Sequence, residues 1–166
     1  MATAYLDLDL GAALADVTAP AGAEVINDTG VTRLRWLFDG TADEFIHWQF
    51  RMPGDYASAP VLKLLFAMAS ATTGNIVAQA QVMAVTPGDA AAVDTGSLDS
   101  ANASSATAVP ATAGHMKEVS ITLTNADSLA AGDLVDLKVG RDPDNASDTA
   151  SGDLELYAAT LEYTTS

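Results

Sequence analysis

Three carboxylates in one short loop form the most metal-like pattern of the sequence. Asp142, Asp144 and Asp148 lie among Pro, Asn, Ser and Gly in the segment 141–152. Calcium prefers several oxygen ligands on a flexible loop, and these side chains could supply them. The EF-hand spacing is not met, because the glycine and the terminal glutamate are misplaced. Since Asp and Asn also stabilise turns by bonding their own backbone, the loop predicts either a calcium site or a plain turn.

The sequence offers little material for a catalytic centre. His47 and His115 are the only histidines, and cysteine is absent. A hydrolase needs a nucleophile, a base and an orienting acid in one place, and no GxSxG elbow accompanies the serines. Paired carboxylates could serve glycoside hydrolysis, but 22 acidic residues would produce such pairs by chance. We therefore expect a protein that is not an enzyme and has no cofactor other than the calcium considered above.

Charge and hydropathy exclude two classes of partner. The formal net charge is −15, from 22 acidic and 7 basic residues. Binding to a phosphate backbone needs clustered Lys and Arg, so we expect no nucleic-acid partner. No apolar run approaches the roughly 18 residues of a transmembrane helix, so we expect no membrane partner. The N-terminal stretch also lacks the basic and apolar regions of a signal peptide.

Predicted β-strands flank the acidic loop and contain most of the apolar residues. The segment 134–140 alternates apolar and polar residues, which is the period of a half-buried strand. The segment 153–163 is apolar on both faces, with Tyr157, Ala159, Leu161 and Tyr163 on one side and Leu154, Leu156 and Ala158 on the other, which favours a covered central strand. Further strands are predicted at 31–38, 45–52, 61–68, 76–85 and 116–124. Their predicted core comprises Trp36, Trp48, Phe50, Leu64, Phe66, Ile121, Leu137 and Leu161.

The strand pattern predicts an all-β protein, an antiparallel jelly-roll-like β-sandwich. Seven strands with turn signals between them and no amphipathic helix favour two sheets that each bury one face. A jelly roll has eight strands in two sheets. An immunoglobulin-like sandwich is the alternative, but the Cys–Trp–Cys framework is missing.

Two segments stand outside the regular pattern. Residues 1–30 predict an N-terminal arm or edge strand beside a sandwich domain of residues 31–166. Within them Leu6, Leu8 and Leu10 alternate with aspartates and would be exposed if the arm lay on nothing. Residues 87–114 hold no aromatic or basic side chain. They predict either a short strand near 107–111, a contact with a partner subunit or a loosely packed surface excursion.

Several stretches carry a resemblance by their order rather than by a catalytic motif. They are EFIHWQFRMPGDY at 44–56, ATTGNI at 71–76, AGD at 131–133, RDPDNASDT at 141–149 and LEY at 161–163. This order resembles the small β-rich virion proteins of tailed bacteriophages, of the capsid decoration or fibre type. The resemblance covers roughly residues 35–163. It implies a jelly-roll fold and a structural role in the virion.

From this resemblance we expect a capsid decoration (cement) subunit on the outer surface of the phage head. Such a protein would be made in the host cytoplasm, bind the major capsid protein, form a homo-trimer and stabilise the shell. Leu6, Leu8 and Leu10 are the expected capsid contacts. The alternative is a receptor- or glycan-binding module of a head or tail fibre. Tyr and Trp side chains around one pocket would favour glycan binding, and flat apolar patches near the arm would favour cement.

Overall fold

The computed structural model describes residues 1–90 and 92–166, and these residues form an all-β protein. One 3₁₀ turn, Leu10–Ala12, interrupts the strands. In chain order the strands are β1 (Thr3–Leu8), β2 (Leu14–Ala15), β3 (Gly22–Asp28), β4 (Val31–Phe38), β5 (Phe45–Arg51), β6 (Tyr56–Met68), β7 (Asn75–Ile76), β8 (Ala78–Val85), β9 (Asn102–Ala103), β10 (Thr107–Ala108), β11 (Lys117–Thr122), β12 (Leu134–Arg141) and β13 (Leu154–Thr165). Among the described residues, no helix is long and apolar enough to span a bilayer.

The strands form two main antiparallel sheets. The six-stranded sheet has the order β11-β6-β13-β4-β3, and β1 also pairs with β13. The five-stranded sheet has the order β2-β5-β12-β8-β9, and β7 and β10 form a short ribbon. Strand β13 is central, because β6 lies along one edge while β4 and β1 share the other. The predicted antiparallel jelly-roll-like sandwich is confirmed.

The core lies between the two sheets and contains the residues that the alternation predicted. Phe50 is half-buried, and the other seven predicted core residues are buried. The indole nitrogens of both tryptophans donate to backbone carbonyls of the N-terminal segment. Trp48 Nε1 lies 2.7 Å from the Asp9 oxygen, and Trp36 Nε1 lies 3.0 Å from the Leu10 oxygen. The start of the chain therefore closes one side of the core.

This packing corrects the role expected for the N-terminal leucines. Strand β1 pairs with β13 over six residues, from Thr3 opposite Thr164 to Leu8 opposite Ala159. Leu8 is buried, while Leu6 and Leu10 are partly buried against the same core. Because these side chains point into the sandwich, they do not form an exposed capsid contact. Residues 1–30 contribute β1, β2 and β3, and β2 and β3 lie at sheet edges, which agrees with the edge-strand alternative and not with a separate arm.

Two short strands within the segment 87–114 pair with strands of the sandwich. Strand β9 pairs with β8, and β10 pairs with β7 in the region where a short strand was predicted. Asn102 is buried, and its side-chain amide donates to the Ala80 and Asn125 carbonyls. Its Oδ1 accepts from the Asn125 backbone at 2.9 Å. One polar side chain thus joins three parts of the chain.

Candidate functional site

The acidic loop is folded around a buried arginine. Arg141 at the end of β12 donates from Nε and Nη2 to the two carboxylate oxygens of Asp148, at 2.9 and 2.7 Å. Its remaining donors reach the Gly152 and Ala150 carbonyls. Asp148 also accepts from the Val77 backbone at 3.0 Å. The loop therefore has an internal cation at its centre.

This geometry argues against the calcium site predicted at Asp142, Asp144 and Asp148. Both oxygens of Asp148 are taken by Arg141, whose charge neutralises the carboxylate. Asp142 accepts from the Asn145 side-chain amide at 3.1 Å, and Asn145 Oδ1 accepts from the Ser147 backbone at 3.1 Å, as in an ordinary Asx turn. In residues 1–90 and 92–166, no group of three His, Asp or Glu side chains is placed to hold a metal ion. The turn interpretation accounts for these contacts.

The outer face of the six-stranded sheet presents polar and aromatic side chains beside two cavities. Alternation along each strand places most of these residues outside, because their sequence neighbours point into the core. We call this surface the tyrosine face. It comprises Tyr5 of β1, Arg33 and Arg35 of β4, Lys63 and Leu65 of β6, Glu118 of β11, Glu155, Tyr157, Ala158, Thr160 and Glu162 of β13, and Gly114 and Met116 before β11.

The first cavity of the tyrosine face lies beside Tyr5. Its volume is about 270 Å³, and its walls are Tyr5, Lys63, Leu65, Glu118, Ala158 and Thr160. Tyr5 is 61% exposed, so its ring is accessible to a ligand in this cavity. Lys63 Nζ lies 2.6 Å from Glu162 and 5.9 Å from the centre of the Tyr5 ring. The hydrogen bond with Glu162 raises the pKa of Lys63, so its ammonium group stays charged.

A β-bulge places the second tyrosine on this face. In the pairing of β13 with β6, Leu156 lies opposite Phe66 and Ala158 lies opposite Leu65, so Tyr157 is an extra residue. Simple alternation had put Tyr157 on the same side as Ala159 and Leu161. The bulge shifts that phase by one residue and turns Tyr157 outward. Sequence periodicity carries no signal for such an insertion.

A charged network holds the Tyr157 hydroxyl in place. That hydroxyl donates to Glu155 at 3.0 Å and accepts from Arg35 Nη1 at 3.3 Å. Arg35 also pairs with Glu155 at 2.6 Å and with Glu24 of β3. Burial lowers the pKa of Arg35. The hydrogen bonds with Tyr157 and Glu24 and the charge of Glu155 outweigh this effect, so the pKa is raised overall and the group stays protonated. The ring of Tyr157 is thereby fixed on the sheet.

The second cavity opens beside this fixed ring. Its volume is about 300 Å³, and its walls are Arg33, Gly114, Met116 and Tyr157. Because Tyr157 and Ala158 are consecutive, the two cavities adjoin along β13. Each combines one tyrosine with a basic side chain. Such a surface can pack an apolar face of a small ligand on a ring while charged groups bind its polar edge.

The tyrosine face is neither of the two surfaces expected from the sequence, which were Tyr and Trp side chains around one pocket and flat apolar patches near the arm. Both tryptophans are buried, so neither lines the two cavities described here. Tyr5 had a usable signal, because it alternates with Leu6 and Leu8 on the polar side of β1. Sequence reasoning missed it by attending to the leucines. Tyr157 carried no such signal.

Sequence comparison gives no relatives: no protein-family model matches the chain, and no curated protein matches it. Comparison with solved structures finds similar proteins. A family 35 carbohydrate-binding module from Clostridium thermocellum superposes with a TM-score of 0.52 and 12% identity, covering 95% of this chain and 97% of that one. The chain shares the β-sandwich fold of that module. At this identity the likeness establishes the fold alone.

Other similar structures are of the same kind. A family 11 carbohydrate-binding module from Clostridium thermocellum, in complex with a β-1,3-1,4-mixed-linked tetrasaccharide, has a TM-score of 0.48 and 10% identity over 95% of this chain and 94% of that one. A module described for specific mannan recognition has a TM-score of 0.47 and 12% identity over 98% and 99%. These neighbours do not test the resemblance to phage virion proteins, which stays a prediction.

Proposed function

We propose that this protein is a non-catalytic glycan-binding module whose binding surface is the tyrosine face. The observation that carries the proposal is the exposed ring of Tyr5 beside a cavity with Lys63, Glu118 and Thr160 in its walls. The fold shared with carbohydrate-binding modules supports it, while the site itself is argued from this chain's own residues.

The chemistry of a sugar ring suits this surface. A pyranose has faces of C–H groups with partial positive charge and edges of hydroxyl groups. The C–H face packs on an aromatic ring, whose own face is negative. The hydroxyl groups pair with Lys63, Glu118 and Thr160, which offer donors and acceptors on one rigid sheet. Because Lys63 is already held by Glu162, little side-chain entropy is lost on binding.

The second cavity extends the same surface. Tyr157 offers another ring next to Ala158, which lines the first cavity, and its hydroxyl is already satisfied by protein groups. Its ring is therefore free to pack while its orientation is fixed. We propose that an oligosaccharide, longer than one sugar, binds across both cavities. If this chain is the receptor- or glycan-binding module of a virion fibre, it would bind its glycan through this same surface.

A glycan array followed by calorimetric titration tests the proposal. Tyr5→Ala should weaken binding about tenfold or more, equivalent to about 1.4 kcal/mol, because it removes the packing surface. Tyr5→Phe keeps the ring and should bind nearly as well. Val17→Ala changes a residue that is 97% exposed outside both cavities and should have no effect. Equal affinity of Tyr5→Ala and the wild type would contradict the assignment of this face.

A second candidate function is the capsid decoration role expected from the phage resemblance. One observation favours a protein contact: Leu14 of β2 and Val17 line one surface cavity and are 69% and 97% exposed. Exposed apolar side chains that lie together mark protein interaction sites. We propose that a capsid contact, if made, uses these residues with the major capsid protein as partner, in a homo-trimer on the outer shell. Leu14→Asp with Val17→Asp should then abolish co-sedimentation with capsids, while Tyr5→Ala should not.

A further inference from the structure

His47 lies between two carboxylates on the outer face of the five-stranded sheet. Its Nδ1 is 2.7 Å from Asp136 Oδ1, and its Nε2 is 3.0 Å from Asp16 Oδ2. His47 belongs to β5 and Asp136 to the adjacent β12, whereas Asp16 follows the short strand β2. One imidazole ring therefore joins three segments that are far apart in the sequence.

The geometry determines which ionisation state fits. A neutral imidazole has one N–H donor and one bare nitrogen, whereas an imidazolium has two donors. Because each ring nitrogen of His47 faces a carboxylate oxygen, the imidazolium satisfies both contacts. The neutral ring would leave one nitrogen lone pair against a carboxylate. The hydrogen bond with Asp136 raises the pKa of His47, burial lowers it, and the bond with Asp16 raises it again, for a net increase.

Asp16 belongs to a short segment, residues 14–19, which we call the strap. Asp16 Oδ1 accepts from the Thr18 backbone and hydroxyl, both at 2.7 Å, so the carboxylate fixes the turn of the strap. Two backbone bonds join the strap to Phe45: the Asp16 N–H donates to the Phe45 oxygen at 3.0 Å, and the Phe45 N–H donates to the Ala19 oxygen at 2.8 Å.

Lys138 is the other cation at this site. Its Nζ lies 3.3 Å from Asp16 Oδ2 and 4.0 Å from the centre of the Phe45 ring. Among the described residues, the charged groups paired around His47 are thus Asp16 from the strap and Asp136 and Lys138 from β12. With His47 protonated, two cations balance two carboxylates. Loss of its proton leaves one cation for two.

We propose that His47 is a proton-controlled clasp that ties the strap to the five-stranded sheet. When the ring is protonated, both carboxylates are paired and the strap is closed. When the proton leaves, the ring keeps one donor for two carboxylates, Lys138 is the only cation left to balance Asp16 and Asp136, and the strap loosens on β5. The strap carries Leu14 and Val17, which are 69% and 97% exposed, so the clasp also determines how rigidly these apolar side chains are presented.

Nuclear magnetic resonance on the full chain tests the clasp. The imidazole nitrogen shifts should show both nitrogens of His47 protonated below a titration midpoint that lies above the ordinary value of 6.5. Hydrogen exchange of the Phe45 amide, corrected for the intrinsic dependence on pH, should accelerate as the pH passes that midpoint. The Val139 amide, in the buried middle of β12, is the internal control and should not change.

Two variants separate the clasp from a passive surface contact. His47→Gln cannot carry the charge. After the same correction for intrinsic exchange, hydrogen exchange of the Phe45 amide should therefore be fast and independent of pH between about pH 5 and pH 9. Lys138→Met keeps an apolar stem on Phe45 but removes the second cation, so loosening above the His47 midpoint should be larger than in the wild type. The proposal is overturned if wild-type His47 titrates at or below 6.5, or if Phe45 exchange in the wild type ignores its titration. The wild-type measurements decide this even if a variant fails to fold.

Discussion

Arg141 and Asp148 form a two-point ion pair in which the two side chains are 0% and 2% exposed. The pair joins the end of β12 to the loop that leads into β13, and Arg141 also holds the Gly152 and Ala150 carbonyls. Each guanidinium nitrogen of Arg141 has an oxygen partner, which is the condition for a buried ion pair to be tolerated. An acidic loop of metal-like composition is thus organised by a cation from the chain itself.

Removing one member of this pair should destabilise the fold strongly. Asp148→Ala leaves the Arg141 charge buried without a counter-ion, which costs about 3–5 kcal/mol of unfolding free energy. Chemical denaturation followed by circular dichroism measures the loss. Asp144→Ala is the matched control, since Asp144 is exposed in the same loop, and it should change stability by less than about 0.5 kcal/mol. Equal effects of the two changes would show that the ion pair is not the organising contact.

Calcium should not stabilise the protein. A ligand that binds only the folded state raises the melting temperature. Asp148 cannot join Asp142 and Asp144 as a calcium ligand without giving up Arg141. We therefore expect the same thermal melting curve with millimolar calcium and with a chelator. A rise with calcium that the chelator reverses would restore the calcium interpretation of this loop.

The sequence predicted the sheets well because alternation is a local property. The residues of β12 and of the core were identified from their period of two. The contacts that define the sites are not local. Asp16, His47 and Asp136 are far apart in the chain, and nothing in the composition around them indicates that they meet. Tyr157 was assigned to the wrong face because a bulge inserts one residue, which leaves no mark in the hydropathy pattern.

The free energy of unfolding should fall on both sides of neutral pH. Burial raises the pKa of Asp16, but hydrogen bonds from His47, Thr18 and Ala19 hold it well below its ordinary value of 3.8. Its contribution is present above that value and is lost as the pH falls towards the folded-state pKa. The pKa of His47 is raised, so its contribution is present below 6.5 and is lost as the pH rises through the folded-state value.

Asp136→Asn tests the alkaline limb of this profile. The change removes the largest cause of the raised pKa of His47 and keeps a side chain of similar size. The variant should lose its histidine-linked stability at a lower pH than the wild type, while the acid limb set by Asp16 remains. Urea denaturation midpoints across the pH range measure both limbs. Superimposable alkaline limbs would contradict the linkage between Asp136 and His47.

Deletion of residues 1–12 should unfold the domain rather than remove a detachable arm. The deletion removes β1, which pairs with the central strand β13, and it removes Leu8 from the core. Loss of one buried leucine alone costs about 1.5–3 kcal/mol. The indoles of Trp36 and Trp48 would also lose the carbonyls of Leu10 and Asp9, and a buried donor without a partner costs about 1–3 kcal/mol.

These losses together approach the whole stability of a small domain, which is about 5–15 kcal/mol. We expect the truncated chain to show no cooperative unfolding transition and a red-shifted tryptophan fluorescence. Removal of Met1 alone is the control, because that residue is 97% exposed, and it should leave the transition unchanged. A truncated chain that unfolds cooperatively at the wild-type midpoint would show that β1 is dispensable and would return it to the role of an arm.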